Sequence, residues 1–115
     1  MPSQLNTGGS VTLDVTGAGT VYLSPALPGV TWVVNQVSCI TSTNISGTTT
    51  FQFYYPSVAD VYFQGGSYSG NQDTDTDINL VVFYGSQLIG VWAGGDSGAI
   101  ATMSILGTFT APGNP

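Results

Sequence analysis

The chain has 115 residues, six of them acidic, and no Lys, Arg or His, for a formal net charge of −6. That length makes one domain, residues 1–115, with a real core and little margin for a second. With no basic side chain it forms no internal side-chain salt bridge and repels nucleic acid and anionic lipid, which excludes both as partners; what it attracts is a basic protein surface or a divalent cation.

Gly, Thr, Ser, Val and Tyr dominate and Glu is absent, a composition that favours strands over helices. Residues 1–10 are polar and contain Gly8 and Gly9, and are expected to form an extended arm rather than a packed element. Alternation then begins: Val11, Leu13 and Val15 fall on one face and Thr12 and Asp14 on the other, which predicts a half-buried strand over 10–15. Gly17-Ala-Gly19 reads as a turn, and a second strand over 20–24 is stopped by Pro25 and Pro28, which remove ladder donors.

The longest strand candidate covers 31–43. Its apolar phase slips between Trp32/Val34 and Val37/Cys39, so a bulge or a change of sheet is expected at Asn35-Gln36. A strand over 49–55 carries Phe51, Phe53 and Tyr55 on one face and ends at Pro56; a short one over 60–64 is closed by Gly65-Gly66. An acidic loop follows. Strands over 78–83, 87–93 and 99–109 complete the set, the last with Ile100 and Leu106 opposite Met103, Ile105 and Phe109, before a Pro-rich tail over 110–115.

About eight strands at regular spacing, with turn chemistry between them and no helical period, predict an all-β, jelly-roll-like antiparallel β-sandwich. No Cys…Trp…Cys arrangement supports an immunoglobulin domain. Edge strands of such folds usually carry Lys against sheet-to-sheet pairing. This chain has none, so its edges are expected to be covered by its arms or by copies of itself. The single Cys39 lies in an apolar run and reads as a buried structural thiol. The start Met-Pro-Ser-Gln-Leu lacks the pattern of a secretory signal, so export by the usual route is not expected, and no apolar run reaches the roughly 18 residues of a membrane span. The Asn44-Ile-Ser46 triplet matches a glycosylation sequon, of a kind that arises by chance in Ser/Thr-rich chains.

Four motifs bear on chemistry. Asp73-x-Asp75-x-Asp77 supplies hard oxygens at the spacing that begins a calcium loop, but Ile78 and Tyr84 stand where an EF-hand needs Gly and Glu. What remains open is a solvated acidic loop, a docking loop for a basic partner, or an irregular Ca²⁺ site. Gly95-Asp96-Ser97-Gly98 resembles protease segments, yet the histidine of a serine protease is absent, and in the dimeric aspartic proteases the Asp follows its strand directly, whereas Gly94-Gly95 intervene here. A tight turn is the simpler reading. Asp60 or Asp96 converging with the acidic loop would give the carboxylate pair of a glycosidase. Trp32, Tyr54, Tyr55, Tyr62, Tyr68, Tyr84 and Trp92 form a sugar platform only where they are exposed; in a small sandwich most such rings are core.

A more specific signal is the spaced set Thr20-Val-Tyr-Leu-Ser-Pro25, Gly29-Val-Thr-Trp32, Tyr68-Ser-Gly-Asn-Gln-Asp-Thr74, Gln87-Leu-Ile-Gly-Val-Trp92 and Gly94-Gly-Asp-Ser-Gly-Ala99, followed by Ala101-Thr102 and Gly107. Over residues 17–109 this resembles the small minor structural proteins of tailed bacteriophages that infect actinobacteria. The resemblance implies a jelly-roll sandwich built into the virion, as a capsid decoration protein or minor tail component; no enzymatic activity is expected, because acid–base work would rest on Asp alone, and no cofactor. The expected role is decoration of the outer capsid surface, bound to the major capsid protein, as a homo-oligomer and specifically a trimer because decoration proteins often occupy threefold positions. Ser3, Gln4, Leu5 and Asn6 in the arm and Pro112 and Asn114 in the tail are the candidate lattice contacts. A receptor- or carbohydrate-binding module of the tail is the competing expectation.

Overall fold

The computed structural model describes residues 3–67, 72–76 and 78–111. Among these residues nine strands follow one another: β1 Ser3–Thr12, β2 Gly19–Leu23, β3 Thr31–Thr41, β4 Thr50–Tyr54, β5 Phe63–Ser67, β6 Gln72–Asp75, β7 Leu80–Phe83, β8 Leu88–Ala93 and β9 Ile100–Thr110. The only helical piece among the described residues is a single 3₁₀ turn, Asp60–Tyr62.

Two sheets form. In the first, β1, β9 and β3 lie side by side and both β6 and β7 pair with the far side of β3; in the second the order is β2-β8-β4-β5. The recorded strand pairings are all antiparallel. The chain crosses repeatedly from one sheet to the other, and strands far apart in sequence become neighbours, the double Greek-key arrangement of a jelly roll. The all-β sandwich expected from the strand spacing is therefore present, with one strand position divided. The reason for the division lies in β3. β7 pairs with residues 31–34 of that strand and β6 with residues 37–40, leaving a gap opposite Asn35-Gln36. At the same place the β3–β9 register slips, Val34 facing Gly107 and Gln36 facing Leu106. The expected bulge thus lies where the apolar phase breaks, and it resets the phase so that Trp32, Val34, Val37 and Cys39 all face inward. Gly107 fits this site because a Cβ there would collide with the Val33 carbonyl.

The core lies between the sheets. Trp92, Phe53, Leu88, Met103, Ile105, Val34, Val37 and Val82 are fully enclosed, each such burial stabilising the fold by about 1.5–3 kcal/mol. Trp92 and Phe51 meet at a centroid distance of 4.7 Å. Gly90 makes room for this packing: a Cβ there would stand 2.7 Å from Met103 Sδ and 2.9 Å from Phe51 Cε1.

Four local expectations are corrected. The N-terminal segment is not an arm: from Ser3 onward it is β1, paired along its length with β9, and Leu5 is part of the core. Its side-chain alternation is weak because Gly8 and Gly9 occupy the middle. The strand expected to run to Val15 ends at Thr12, and Val15 is 89 % exposed; Asp14 captures the backbone in a turn there, accepting the Thr16 and Ala18 N–H groups at 2.8 and 3.1 Å. Gly65-Gly66 lie inside β5 rather than closing it, their lack of side chains admitting close approach of Asp75 and of the Phe51 carbonyl. The acidic stretch is β6 at Gln72–Asp75, because pairing with β3 overrides the turn preference of Asp and Thr.

Candidate functional site

β6 pairs Asp73 with Cys39 and Asp75 with Val37, so both carboxylates share the inward side of those buried residues instead of forming a solvent-facing tip. Both are half-buried, at the rim where β6 passes the edge strand β5; a Cβ at Gly65 would stand 2.8 Å from Asp75 Oδ2. Asp77, the third member of the expected calcium ligands, lies outside the described residues. Among the described residues no three His, Cys, Asp or Glu side chains converge. An inward-pointing charge on an edge strand opposes pairing with another sheet. Burial, together with the neighbouring charge of Asp73, pushes the Cys39 thiol up to about 11, which keeps it protonated in line with a structural role.

Asp96 is a structural clamp. The Ile45 N–H donates to its Oδ2 at 2.7 Å and the Ser46 N–H to its Oδ1 at 2.8 Å, so both oxygens are engaged. These backbone donors, with the Thr43 side chain, hold its carboxyl at about 2. Nearby, the Ser46 and Thr48 hydroxyls donate to the Gly94 carbonyl at 3.1 and 2.6 Å, and Gly98 has the positive φ of a tight turn, 82°. The turn reading of 95–98 thus gives both Asp96 and Gly98 a structural role. Asp60 lies toward the Tyr54 end of β4 and Asp96 beyond its Thr50 end, where Thr50 faces Ala93. The two carboxylates thus sit toward opposite ends of β4, and Asp77 of the acidic loop lies outside the described residues.

The aromatic set divides. Trp32 and Trp92 are core, Tyr54 is 9 % exposed, and Tyr55 is half-buried with its hydroxyl accepting the Phe83 N–H at 3.1 Å. Tyr62 and Tyr84 are exposed, and Tyr68 lies outside the described residues. Strand register assembles a further group that spacing did not reveal. Tyr22 faces Ile89, Ile89 faces Tyr54, and Tyr54 faces Phe63, making one row across all four strands of the second sheet on its outer side. Tyr54 and Phe63 meet edge to face at 5.8 Å, and the Tyr54 hydroxyl donates to Gln52 Oε1 at 2.8 Å. Gln52, Tyr54, Asp60 and Phe63 line a depression of about 290 Å³.

The outer side of the first sheet is different in kind. Ser10 and Thr102 hydroxyls bond at 2.9 Å, and the Thr74 hydroxyl donates to Ser38 Oγ at 3.4 Å. Ser38, Thr74, Thr102 and Ser104, with Cys39, Ile40, Gln72 and Asp73, line a shallow depression of about 220 Å³. β1 forms one edge of this sheet, with ten residues, no charge and no proline. The candidate contacts in this segment are placed on it: Gln4 and Asn6 are exposed, Ser3 is half-buried and Leu5 points into the core. Pro112 and Asn114 lie outside the described residues, but Ser3 pairs with Phe109, so the last described turn of chain leaves beside the first. Among the described residues no helix is long and apolar enough to cross a membrane. No protein-family model matches the chain, and no curated protein matches it.

Proposed function

We propose that the chain is a non-enzymatic structural protein of a tailed-phage virion, decorating and stabilising the outer capsid surface by binding the major capsid protein as a homo-oligomer, a trimer. The observation that carries this role is β1. It is a ten-residue, uncharged, proline-free edge, whereas β6, at the opposite edge of the same sheet, points two carboxylates inward. One edge is protected against strand addition, whereas among the described strands none pairs with the outer side of β1, and an added strand from a neighbouring subunit gains backbone hydrogen bonds without confronting any charge on β1.

The charge of the body supports the outer location. A surface at −6 with no cation is repelled by packaged DNA. Attachment is tested by titrating the purified protein onto undecorated heads and following co-sedimentation. Saturation at a fixed copy number per lattice position is expected; heads left bare while tails or host cells take up the protein would move it to a receptor-binding role.

A further inference from the structure

We propose that the outer side of the second sheet is a binding site for an uncharged oligosaccharide, seated on Phe63 and Tyr22 and held by Gln52 and Asp60. The site is independent of whether the chain sits on a head or a tail.

Three observations converge. The row Tyr22–Ile89–Tyr54–Phe63 crosses four strands and therefore spans roughly 14 Å at the usual inter-strand spacing. Its ends are open: Tyr22 is 57 % and Phe63 49 % exposed, while the middle residues are covered by their neighbours. Exposed aromatic rings at the two ends of an apolar row are the kind of group that stacks on the C–H side of sugar rings.

The second observation is the polar rim. Tyr54 donates its hydroxyl to Gln52 Oε1, which fixes the orientation of that amide and leaves Nε2 as a donor. Asp60 is exposed on the same depression, an acceptor with two oxygens. A donor and a double acceptor beside a ring match a pair of neighbouring hydroxyls. A peptide strand is a poorer match, because the site lies on the face of the sheet and not along a backbone edge.

The third is charge. Among the described residues that line the depression Asp60 is the one acidic side chain, and the chain contains no basic side chain. Sialylated, sulfated and uronic-acid sugars are repelled, and uncharged ones are not.

The test is an amide-resolved NMR titration of the ¹⁵N-labelled protein with maltotriose, chitotriose and lactose, and with sialyllactose as the charged control. Shifts centred on Gln52, Tyr54, Asp60 and Phe63 are expected with at least one uncharged glycan and not with sialyllactose. Phe63→Ala and Asp60→Asn should each weaken that binding about tenfold or more while keeping the dispersed spectrum of the folded protein. No shift with any of the uncharged glycans, or equal binding by both variants, overturns the proposal. So does a change in the same signals with protein concentration alone, which would make this face a contact between copies. Head attachment by Phe63→Ala is measured separately, so loss of the sugar site and loss of the decoration role are told apart.

Discussion

The two sheets share one core but present different surfaces. The first has three strands of ten or eleven residues beside the four-residue β6 and β7, carries hydroxyl groups on its outer side, and ends at the uncharged β1. The second is built on strands of five or six residues and carries a row of aromatic and aliphatic side chains on its outer side. Long pairing of β1, β9 and β3 distinguishes the first sheet, and the apolar outer row distinguishes the second. In the roles proposed above, the domain would attach by the β1 edge and present the face of the second sheet.

The contrast between inside and outside of the second sheet is broken most severely by Phe53→Ala. Phe53 is 1 % exposed, whereas Phe63 is half-exposed on the opposite side. Truncating the first should cost about 3–5 kcal/mol and the second about 1 kcal/mol, read as midpoints of urea unfolding; equal costs would show that the outer row is as deeply packed as the core. In the first sheet, Gly107→Ala forces a methyl against the Val33 carbonyl at the bulge, with an expected loss of about 1–3 kcal/mol. A neutral result would mean the bulge accommodates side chains freely.

Acid sharpens the comparison at the end of the sandwich where the 43–48 loop is held. The Asp96 carboxyl lies at about 2 in the folded protein against an ordinary 3.8. A depressed folded value contributes stability above the ordinary value, and that contribution disappears as pH falls through the folded one. Melting temperature should therefore drop between about pH 4 and pH 2, with Asp14 contributing in the same direction. Asp96→Asn sets an amide N–H₂ against a backbone N–H and should lower the melting temperature at neutral pH while flattening that acid response. An unchanged acid response would remove Asp96 from the clamp. The smallest effect on stability is expected for Asn6→Lys on exposed β1, within about 0.5 kcal/mol, although it puts a charge on the edge proposed for attachment.

The sandwich was readable from the sequence because alternation and turn residues mark most strands, and even the β3 bulge shows as a slip in apolar phase between Val34 and Val37. β1 escaped because Gly8 and Gly9 erase its alternation, and β6 because Asp and Thr favour turns in isolation; in both, pairing with a long neighbour decides the conformation. The outer aromatic row was invisible for a related reason. Tyr22, Tyr54, Phe63 and Ile89 are scattered along the chain and become adjacent only through register. Asp96 showed as a turn residue, but its two backbone partners, about fifty positions away, follow only from the fold.

Attachment through β1 is tested most directly by co-sedimentation of the wild-type protein and Asn6→Lys with undecorated phage heads, side by side. Wild-type protein should saturate at a fixed copy number per lattice position, and the variant, equally folded, should remain in the supernatant. Equal binding of both would exclude β1 as the attachment edge, and wild-type protein that ignores heads while binding tails or cells would contradict the decoration role itself.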